Sequence, residues 1–356
     1  MDSPITRSRE RATITEHTVE DTAYTKYPGN YHGYSDHWDA ESFKKTCQVR
    51  IEDYHKGRDL EIDLIGISPA IANAYRRIIL AEVPTIAIEH CFIENNTSVI
   101  QDELLASRLG MIPIKVDPTL FKWKPRNLAP ANTGRDHTIV FTLKAKCEKK
   151  NKVDPEKTGL RSDLYEDYKV YSGKLKWEPL KDQSEKFLRG SSVEPVHKNI
   201  LIAKLREKQE LDIRLHAVKG IGRDHAKFSP VATVTYRLMP DIRLKEKITG
   251  EAARRLRDSF SKGVVEIAKS EAKIINPRID SGSRNHFRHA DLADKVHYDL
   301  IKDHFIFKIE SAGAIPAIDI LLQANMILDL KCQYFLKEVR EARSKMNGSA
   351  PMDESW

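Results

Sequence analysis

Apolar and polar residues alternate along two neighbouring segments near the start of the chain. The segments are 47–54 (CQVRIEDY) and 60–67 (LEIDLIGI), and the turn residues 56–59 (KGRD) lie between them. A period of two residues places every second side chain on the same face of a strand. The pattern therefore predicts a β-hairpin.

A helical period follows directly after this hairpin. Ser68 is a preferred N-cap residue, Pro69 suits the first helical position, and Pro84 ends the pattern. The apolar residues between them lie three or four positions apart, so they form one stripe along a helix. They are Ile71, Ala74, Tyr75, Ile78 and Ile79.

Short strand patterns and loops alternate through the middle of the chain. Strands are predicted at 86–94, 138–147, 200–205, 211–217, 231–239 and 305–310, and helices at 102–110 and 250–262. Residues 148–195 contain few branched aliphatic side chains, which predicts long loops with one or two short strands.

The last strongly patterned segment predicts a long helix that begins near Pro316. Its apolar residues repeat with the 4-3-4-3-4 spacing of a heptad seam. The seam residues are Leu321, Asn325, Leu328, Cys332, Phe335 and Val339. Ile318, Leu322, Met326, Ile327 and Leu336 widen the stripe. A stripe this wide has to be covered on more than one side, so the helix is either central in its own domain or shared with another chain.

Residues 1–42 are expected to form an arm rather than a domain, because they contain few aliphatic side chains. The second half of the arm contains Tyr24, Tyr27, Tyr31, Tyr34 and Trp38. Disordered tails are usually poor in aromatic residues. This half is therefore expected to dock on the protein's own body or on a partner, with a flexible tail as the alternative.

Composition excludes several classes of protein. Apolar residues make up 40% of the 356 positions, which suffices for a buried core. The most apolar stretches, 78–84 and 312–322, are short and contain Glu82 and Asp319, so no membrane span is expected. The first residues lack the apolar segment of a secretory signal.

The charge pattern indicates what kind of surface the protein has, and the cysteine content indicates a reducing compartment, the cytoplasm or the nucleus. The 59 Lys and Arg residues and 52 Asp and Glu residues give a net charge of +7, and the two signs are interleaved. This favours a solvated surface over a patch that binds nucleic acid. The four cysteines form no CxxC pair, which argues against a zinc site made from cysteines.

Two short motifs could suggest chemistry, and neither is complete. Gly220-Ile221-Gly222 lacks the third glycine of a dinucleotide-binding loop and is expected to be a tight turn with a positive φ. His286 and His289 have an HxxH spacing, but arginines surround them, so a solvated basic loop is expected instead of a metal site. The sequence therefore predicts no catalytic, cofactor-binding or metal-binding residue.

Four ordered blocks of sequence resemble the α-like subunits of RNA polymerase. They are NAYRRIILAEVP at 73–84, ENNTSVIQDE at 94–103 with RLGMIPI at 108–114, GIGRDHAKFSPVA at 220–232, and FIFKIESAGAIP at 305–316. The blocks span about 45–340. The arm sequence PGNYHGYSDHWD and the stretch 276–280, together with 284–288, are similar to the larger α-like subunit of polymerases I and III.

The resemblance implies an α+β fold in which a split α-like dimerisation domain contains an inserted, mainly β second domain. The implied division is an arm at 1–42, the dimerisation domain at 43–86 and 231–345, the inserted domain at 87–230, and a tail at 346–356. It also implies a non-catalytic assembly subunit without a cofactor, located in the nucleus including the nucleolus. Such a subunit supports synthesis of precursor rRNA, 5S rRNA and tRNA.

The partners implied by the resemblance are all subunits of the polymerase. A smaller α-like chain would form a heterodimer with this one, and the two large catalytic subunits and the small zinc-binding subunits would dock on it. Nucleic acid would be contacted only through the assembled enzyme.

The resemblance also implies roles for individual residues. The dimer interface would comprise Ile71, Tyr75, Ile78, Ile79, Leu321, Asn325, Leu328, Cys332, Phe335 and Val339. Docking of a large subunit would use Arg76, Arg77, Asp224, His225, Lys227 and Phe228.

Three alternatives stay open at this point. The chain could be the polymerase II counterpart, although that subunit typically carries a zinc-binding cysteine cluster that this sequence lacks. It could be a module that binds nucleic acid directly, for which 144–152 is the best candidate but has no aromatic residue. It could also be an enzyme whose site is assembled from distant residues.

Overall fold

The computed structural model describes residues 4–23, 37–125, 127–132, 134–150, 164–186 and 193–348. Within them the fold mixes helices with several antiparallel sheets, so the predicted α+β class is confirmed. By its internal contacts the chain divides into two compact units. Unit 1 comprises Met1–Tyr54, Leu60–Ala74 and Thr235–Lys308, and unit 2 comprises His55–Asp59, Tyr75–Val234 and Ile309–Trp356. The predicted domain bounds lie elsewhere and stay a prediction.

Helices α1 to α8 follow in chain order. They span Pro4–Glu10, Ala40–Thr46, Pro69–Ala81, Asp102–Gly110, Gln183–Lys186, Gly250–Ser259, Ala290–Ala293 and Ala317–Gly348. The predicted start of α3 is confirmed, since the backbone N–H of Ile71 donates to Ser68 Oγ at 3.3 Å. Helix α8, called the last helix below, begins directly after Pro316 as the sequence predicts.

Strands β1 to β18 also follow in chain order. They span Arg11–Ile14, Val19–Glu20, Gln48–His55, Asp59–Ile65, Pro84–Asn96, Ile114–Lys115, Thr138–Lys146, Glu148–Lys149, Tyr165–Glu166, Lys169–Tyr171, Lys176–Glu178, Glu194–Pro195, Leu201–Lys204, Glu210–Ile221, Val231–Leu244, Val265–Ala268, Glu271–Ile274 and Val296–Ser311. Several of them are longer than predicted, because pairing with neighbouring strands extends them beyond the alternating pattern.

A six-stranded sheet contains the predicted hairpin. Its order is β2-β1-β18-β4-β3, and β15 also pairs with β18. The turn between β3 and β4 places Lys56 and Gly57 at positive φ, as a tight hairpin requires. The predicted hairpin is therefore confirmed.

The first part of the predicted arm adds strands to this sheet. Arg11 lies opposite Ile301, and the Arg7 guanidinium binds both carboxylate oxygens of Asp299 at 3.0 Å. Residues 24–36, which hold most of the aromatic side chains of the arm, lie outside the described residues.

A four-stranded antiparallel sheet organises unit 2. Its order is β11-β7-β14-β5, and β14 pairs with β5 from Leu211 opposite Asn96 to Ile221 opposite Pro84. Leu105 and Leu109 of α4 are fully buried in the same apolar core as this sheet. The core thereby holds α4 against the sheet whose strand β14 leads into the turn after residue 221.

The segment around His286 differs from the expected solvated loop. His286 is fully buried in unit 1 and its ring stacks on Phe260, with the ring centroids 5.2 Å apart. Burial lowers the pKa of His286 to about 4. The expectation of a solvated basic loop is wrong for this residue, because the aromatic side chains that cover it come from other parts of the sequence.

Candidate subunit-docking surfaces

One side of the last helix is covered by its own chain. Ala317, Ile320 and Ala324 are fully buried, and their three- and four-residue spacing places them on one face. The small alanine side chains allow close approach of whatever packs on this face. The covered face occupies only the first half of the helix.

Helix α3 contributes polar contacts to this first half. The Tyr75 hydroxyl donates to Asn325 Oδ1 at 2.7 Å, and Lys331 Nζ lies 2.6 Å from a carboxylate oxygen of Glu82, just after α3. The contacts advance in the same direction along both helices. The last helix and this part of α3 therefore run side by side and parallel.

The second half of the last helix is not covered by the part of the chain that the structure describes. Every residue from 329 to 345 is exposed. Many of these side chains are nevertheless large and apolar, as are two that precede them. They are Leu322, Met326, Leu330, Tyr334, Phe335, Leu336 and Val339. A contiguous exposed apolar surface of this kind marks a site of association. We call these seven residues the exposed helix stripe.

The predicted interface residues separate into three groups by exposure. Ile78 and Ile79 are buried inside the chain and offer no surface to a partner. Ile71, Tyr75, Leu321 and Leu328 are half-buried, whereas Asn325, Cys332, Phe335 and Val339 are exposed. Only the last two groups can contribute to an interface with another chain.

Sequence reasoning missed Leu330 and Tyr334. Both belong to the exposed helix stripe, and both continue the four-residue spacing of Leu322 and Met326. The predicted heptad seam did not include them, because the seam residues lie on a different face of the helix. A search at four-residue spacing would have found them.

The end of β14 and the turn after it contain two glycines at which the chain packs closely. A Cβ on Gly220 would lie 2.6 Å from ring atoms of Phe228, and a Cβ on Gly222 would collide with the carbonyl oxygen of Leu80. Neither glycine has a positive φ. The expectation of a positive φ is therefore wrong, and close approach is the physical reason for both glycines.

Lys227 and Phe228 hold this turn in place from inside. Lys227 Nζ pairs with a carboxylate oxygen of Glu89 at 2.5 Å and donates to the carbonyl of Ile88 at 2.9 Å. The Lys227 side chain is only 12% exposed, and Phe228 is buried. The Thr85 hydroxyl donates to the carbonyl oxygen of Phe228 at 2.7 Å. These two residues position the turn rather than offer surface for docking.

The exposed part of the turn lies against the end of α3. The backbone N–H of Arg223 donates to the carbonyl of Ala81 at 2.9 Å, and Asp224 and His225 are exposed. Arg77 is exposed one turn before Ala81, while Arg76 is half-buried. This backbone contact brings the turn that carries Asp224 and His225 to the end of α3, one turn from Arg77. Their role in docking a large subunit stays a prediction.

In the described part of the chain, no group of three or more His, Cys, Asp or Glu side chains is placed to hold a metal ion. Among the described helices, none is long and apolar enough to cross a membrane. Burial raises the pKa of the Cys91 thiol to about 11, so this cysteine is a poor nucleophile at neutral pH.

A long helix whose second half is exposed among the described residues, together with a turn that presents charged side chains, is typical of a protein that associates with other proteins. Comparison with protein families agrees. Residues 61–332 match the family described as the RNA polymerase Rpb3/Rpb11 dimerisation domain. The chain therefore belongs to this family, and the predicted resemblance to α-like polymerase subunits is confirmed.

Individual relatives narrow the similarity. The "DNA-directed RNA polymerases I and III subunit RPAC1" of Bos taurus is 44% identical over 340 residues, which cover 93% of this chain and 95% of the relative. The subunit of the same name from Saccharomyces cerevisiae is 42% identical, over 89% of this chain and 94% of the relative. The "DNA-directed RNA polymerases II, IV and V subunit 3" of Arabidopsis thaliana is 31% identical, over 82% of this chain and 91% of the relative.

Proposed function

We propose that this chain is the larger α-like subunit of DNA-directed RNA polymerases I and III. Two relatives named for these polymerases are 44% and 42% identical to it over about nine-tenths of its length. The relative named for polymerases II, IV and V is 31% identical. This difference favours polymerases I and III over the polymerase II counterpart.

The exposed helix stripe carries the proposed assembly role. Its apolar side chains face solvent in this chain. Covering them with a partner removes apolar surface from water, which stabilises the complex. The proposed partner is the smaller α-like chain, which would form a heterodimer. In this proposal the dimerisation domain comprises 43–86 and 231–345, and 87–230 form the inserted domain.

A second proposed surface receives a large catalytic subunit. Its members are Arg77, Asp224, His225 and the half-buried Arg76. Arginine suits this role, because its planar guanidinium pairs with carboxylates or carbonyls through two hydrogen bonds. Lys227 and Phe228 support the turn beneath. The second large subunit and the small zinc-binding subunits complete the proposed set of partners.

Catalysis belongs to the large subunits in this proposal. Nucleotidyl transfer requires metal ions held by carboxylates, and the proposed assembly subunit supplies none of these. It would contact nucleic acid only through the assembled enzyme. Its site of action would be the nucleus, including the nucleolus, where it supports synthesis of precursor rRNA, 5S rRNA and tRNA.

Co-expression with the smaller α-like chain of the same organism tests the heterodimer. The expected result is a stable 1:1 complex by light scattering on a sizing column, with self-association of this chain when it is expressed alone. A well-behaved monomer that does not bind the smaller chain would contradict the proposal.

Cysteine alkylation locates the contact. Cys332 is exposed beside the stripe, whereas Cys147 is buried. Iodoacetamide should label Cys332 rapidly in the free chain and at least tenfold more slowly in the heterodimer, because a partner that covers the stripe shields the thiol. Cys147 should remain slow in both, which makes it the internal control. Equal labelling of Cys332 in both states would show that the heterodimer forms elsewhere.

A further inference from the structure

A cavity of about 490 Å³ opens in unit 1, between the first part of the arm and the start of β18. All of its lining residues belong to this unit. Sites for small molecules usually measure roughly 300–1,000 Å³. The cavity therefore has room for a small organic molecule, and the groups that line it decide which chemistry it accepts.

One wall of the cavity is apolar. Ile14 and Val296 are buried, and Phe287 is half-buried against the same apolar core. Because Phe287 lines the cavity and keeps part of its surface uncovered, it offers apolar area to a ligand. A molecule bound here gains by placing an apolar group against this wall.

His297 contributes a hydrogen-bond donor to the cavity. The Arg7 guanidinium nitrogen Nη2 lies 3.0 Å from His297 Nδ1. A guanidinium can only donate, so Nδ1 accepts and the proton of the neutral ring lies on Nε2. Burial, together with the charges of Arg7 and Lys245, lowers the pKa of His297, so the ring is neutral at pH 7. Its Nε2–H has no hydrogen-bond partner in the part of the chain that the structure describes.

Lys245 places a positive charge next to this donor. Its ammonium lies close enough to His297 to act on the pKa of that ring. Lys245 is exposed and lines the same cavity. It makes no ion pair with any of the residues that the structure describes. An ammonium and an N–H donor side by side, both without partners, suit a carboxylate, which accepts hydrogen bonds at both oxygens.

Two acidic side chains limit the negative charge that a ligand can carry. Asp21 lines the cavity, and Asp299 lies beside it in an ion pair with Arg7 at 3.0 Å. Like charges repel, so a nucleotide or another ligand with several negative charges fits poorly. A single carboxylate, directed at Lys245 and away from Asp21, fits the arrangement.

We propose that this cavity binds a free monocarboxylate with an apolar body. The carboxylate accepts hydrogen bonds from Lys245 Nζ and His297 Nε2, and the apolar body packs on Phe287. Short-chain fatty acids and aromatic acids belong to this chemical class. The site goes beyond the proposed function, because assembly of a polymerase by protein contacts requires no small molecule.

Titration with 3-phenylpropionate tests the class of ligand. Binding to the purified full-length chain is followed by ligand-observed NMR at pH 7.5. We expect saturable binding with a Kd of about 1 mM or tighter. Acetate, which lacks the apolar body, and 3-phenylpropanamide, which lacks the charge, should each bind at least about tenfold more weakly.

Lys245→Met locates the binding site, because it removes the charge and keeps an unbranched side chain. It should raise the Kd for 3-phenylpropionate at least about tenfold. Lys247→Met is the matched control, since Lys247 is exposed two residues further along and does not line the cavity. Its Kd should equal that of the wild type.

Histidine labelled with ¹⁵N reports the second donor directly. The Nε2 resonance of His297, assigned with a His297→Gln chain, should shift when 3-phenylpropionate binds. Addition of 3-phenylpropanamide at the same concentration should leave it in place. Because this resonance is followed in the intact wild-type chain, the result does not depend on the folding of a variant.

Each of several results would overturn the inference. They are an absence of saturable binding at several millimolar 3-phenylpropionate, equal affinity of the Lys245→Met and Lys247→Met chains, an amide that binds as well as the acid, and ATP that binds more tightly than the acid. A peptide that ends in phenylalanine and binds at least about tenfold more tightly than 3-phenylpropionate would instead assign the cavity to the carboxyl terminus of a protein. All of these results would leave the proposed function intact, since none of them measures assembly.

Discussion

Replacement of Phe335 by glutamate tests the exposed helix stripe most directly. Phe335 is 68% exposed in this chain, so the change should leave the fold of the free chain intact. Glutamate is also the better helix former. The effect should therefore appear in the affinity for the smaller α-like chain and not in the stability of this chain alone.

The size of the effect follows from the exposed area. Complete burial of a phenylalanine side chain is worth about 1.5–3 kcal/mol. Since Phe335 is 68% exposed, covering it with a partner should contribute about 1–2 kcal/mol. A glutamate in its place also brings an unpaired polar group into the contact, at a cost of about 1–3 kcal/mol. Together these effects predict a dissociation constant raised at least about thirtyfold.

The assay is dilution of the purified heterodimer, followed by light scattering or calorimetry. Phe335→Ala separates the two contributions, because it removes apolar area without adding charge, and it should weaken binding by roughly five- to thirtyfold. Ser344→Glu is the matched control, since Ser344 is exposed beyond the stripe on the side of the helix opposite Phe335, and the change adds the same charge. Phe335→Glu that binds as tightly as Ser344→Glu would refute the assignment of the stripe to the heterodimer.

Further predictions concern the turn after β14 and the interior of unit 1. Gly220→Ala should destabilise the chain by about 1–3 kcal/mol in denaturant unfolding, because its Cβ would lie 2.6 Å from the Phe228 ring; a change below about 0.5 kcal/mol would contradict this packing. Arg77→Ala should leave the heterodimer intact and weaken docking of the second-largest subunit by roughly tenfold or more in pull-down titrations, and loss of the heterodimer instead would contradict the assignment. Burial lowers the pKa of His286 to about 4 from its usual 6.5, so the folded state holds fewer protons than the unfolded state below pH 6.5, and stability is full above that pH and falls as the pH approaches 4. Unfolding free energies should drop by roughly 2 kcal/mol between pH 7.5 and 5, and His286→Phe should lack most of this drop; an unchanged pH dependence would show that other groups cause it.

Much of the local structure could be predicted from the sequence, because it follows local rules. The cap at Ser68, the start of α3 at Pro69 and the hairpin turn at 56–59 each depend on residues within a few positions of one another. The four blocks that resemble the α-like polymerase subunits could also be recognised directly from the sequence. The width of the apolar stripe on the last helix even predicted that a second side needed cover.

Roles that depend on distant contacts could not be read in this way. Lys227 and Phe228 were predicted to be docking residues. In the structure Lys227 pairs with Glu89. Phe228 is buried against Gly220, and its carbonyl accepts from Thr85. The sequence around His286 predicted a solvated loop, whereas in the structure its ring is buried and stacks on Phe260. In each case the partner lies in another segment of the chain, so no local pattern reveals it.

The spacing of apolar residues is enough to predict that the last helix is long and has more apolar surface than one neighbour can cover. Tertiary contacts then set which face is buried, at Ala317, Ile320 and Ala324, and which face stays exposed, around Phe335. Helical periodicity is set by residues one turn apart, whereas burial is set by whichever segment folds back onto the helix. Periodicity is local, and burial is not.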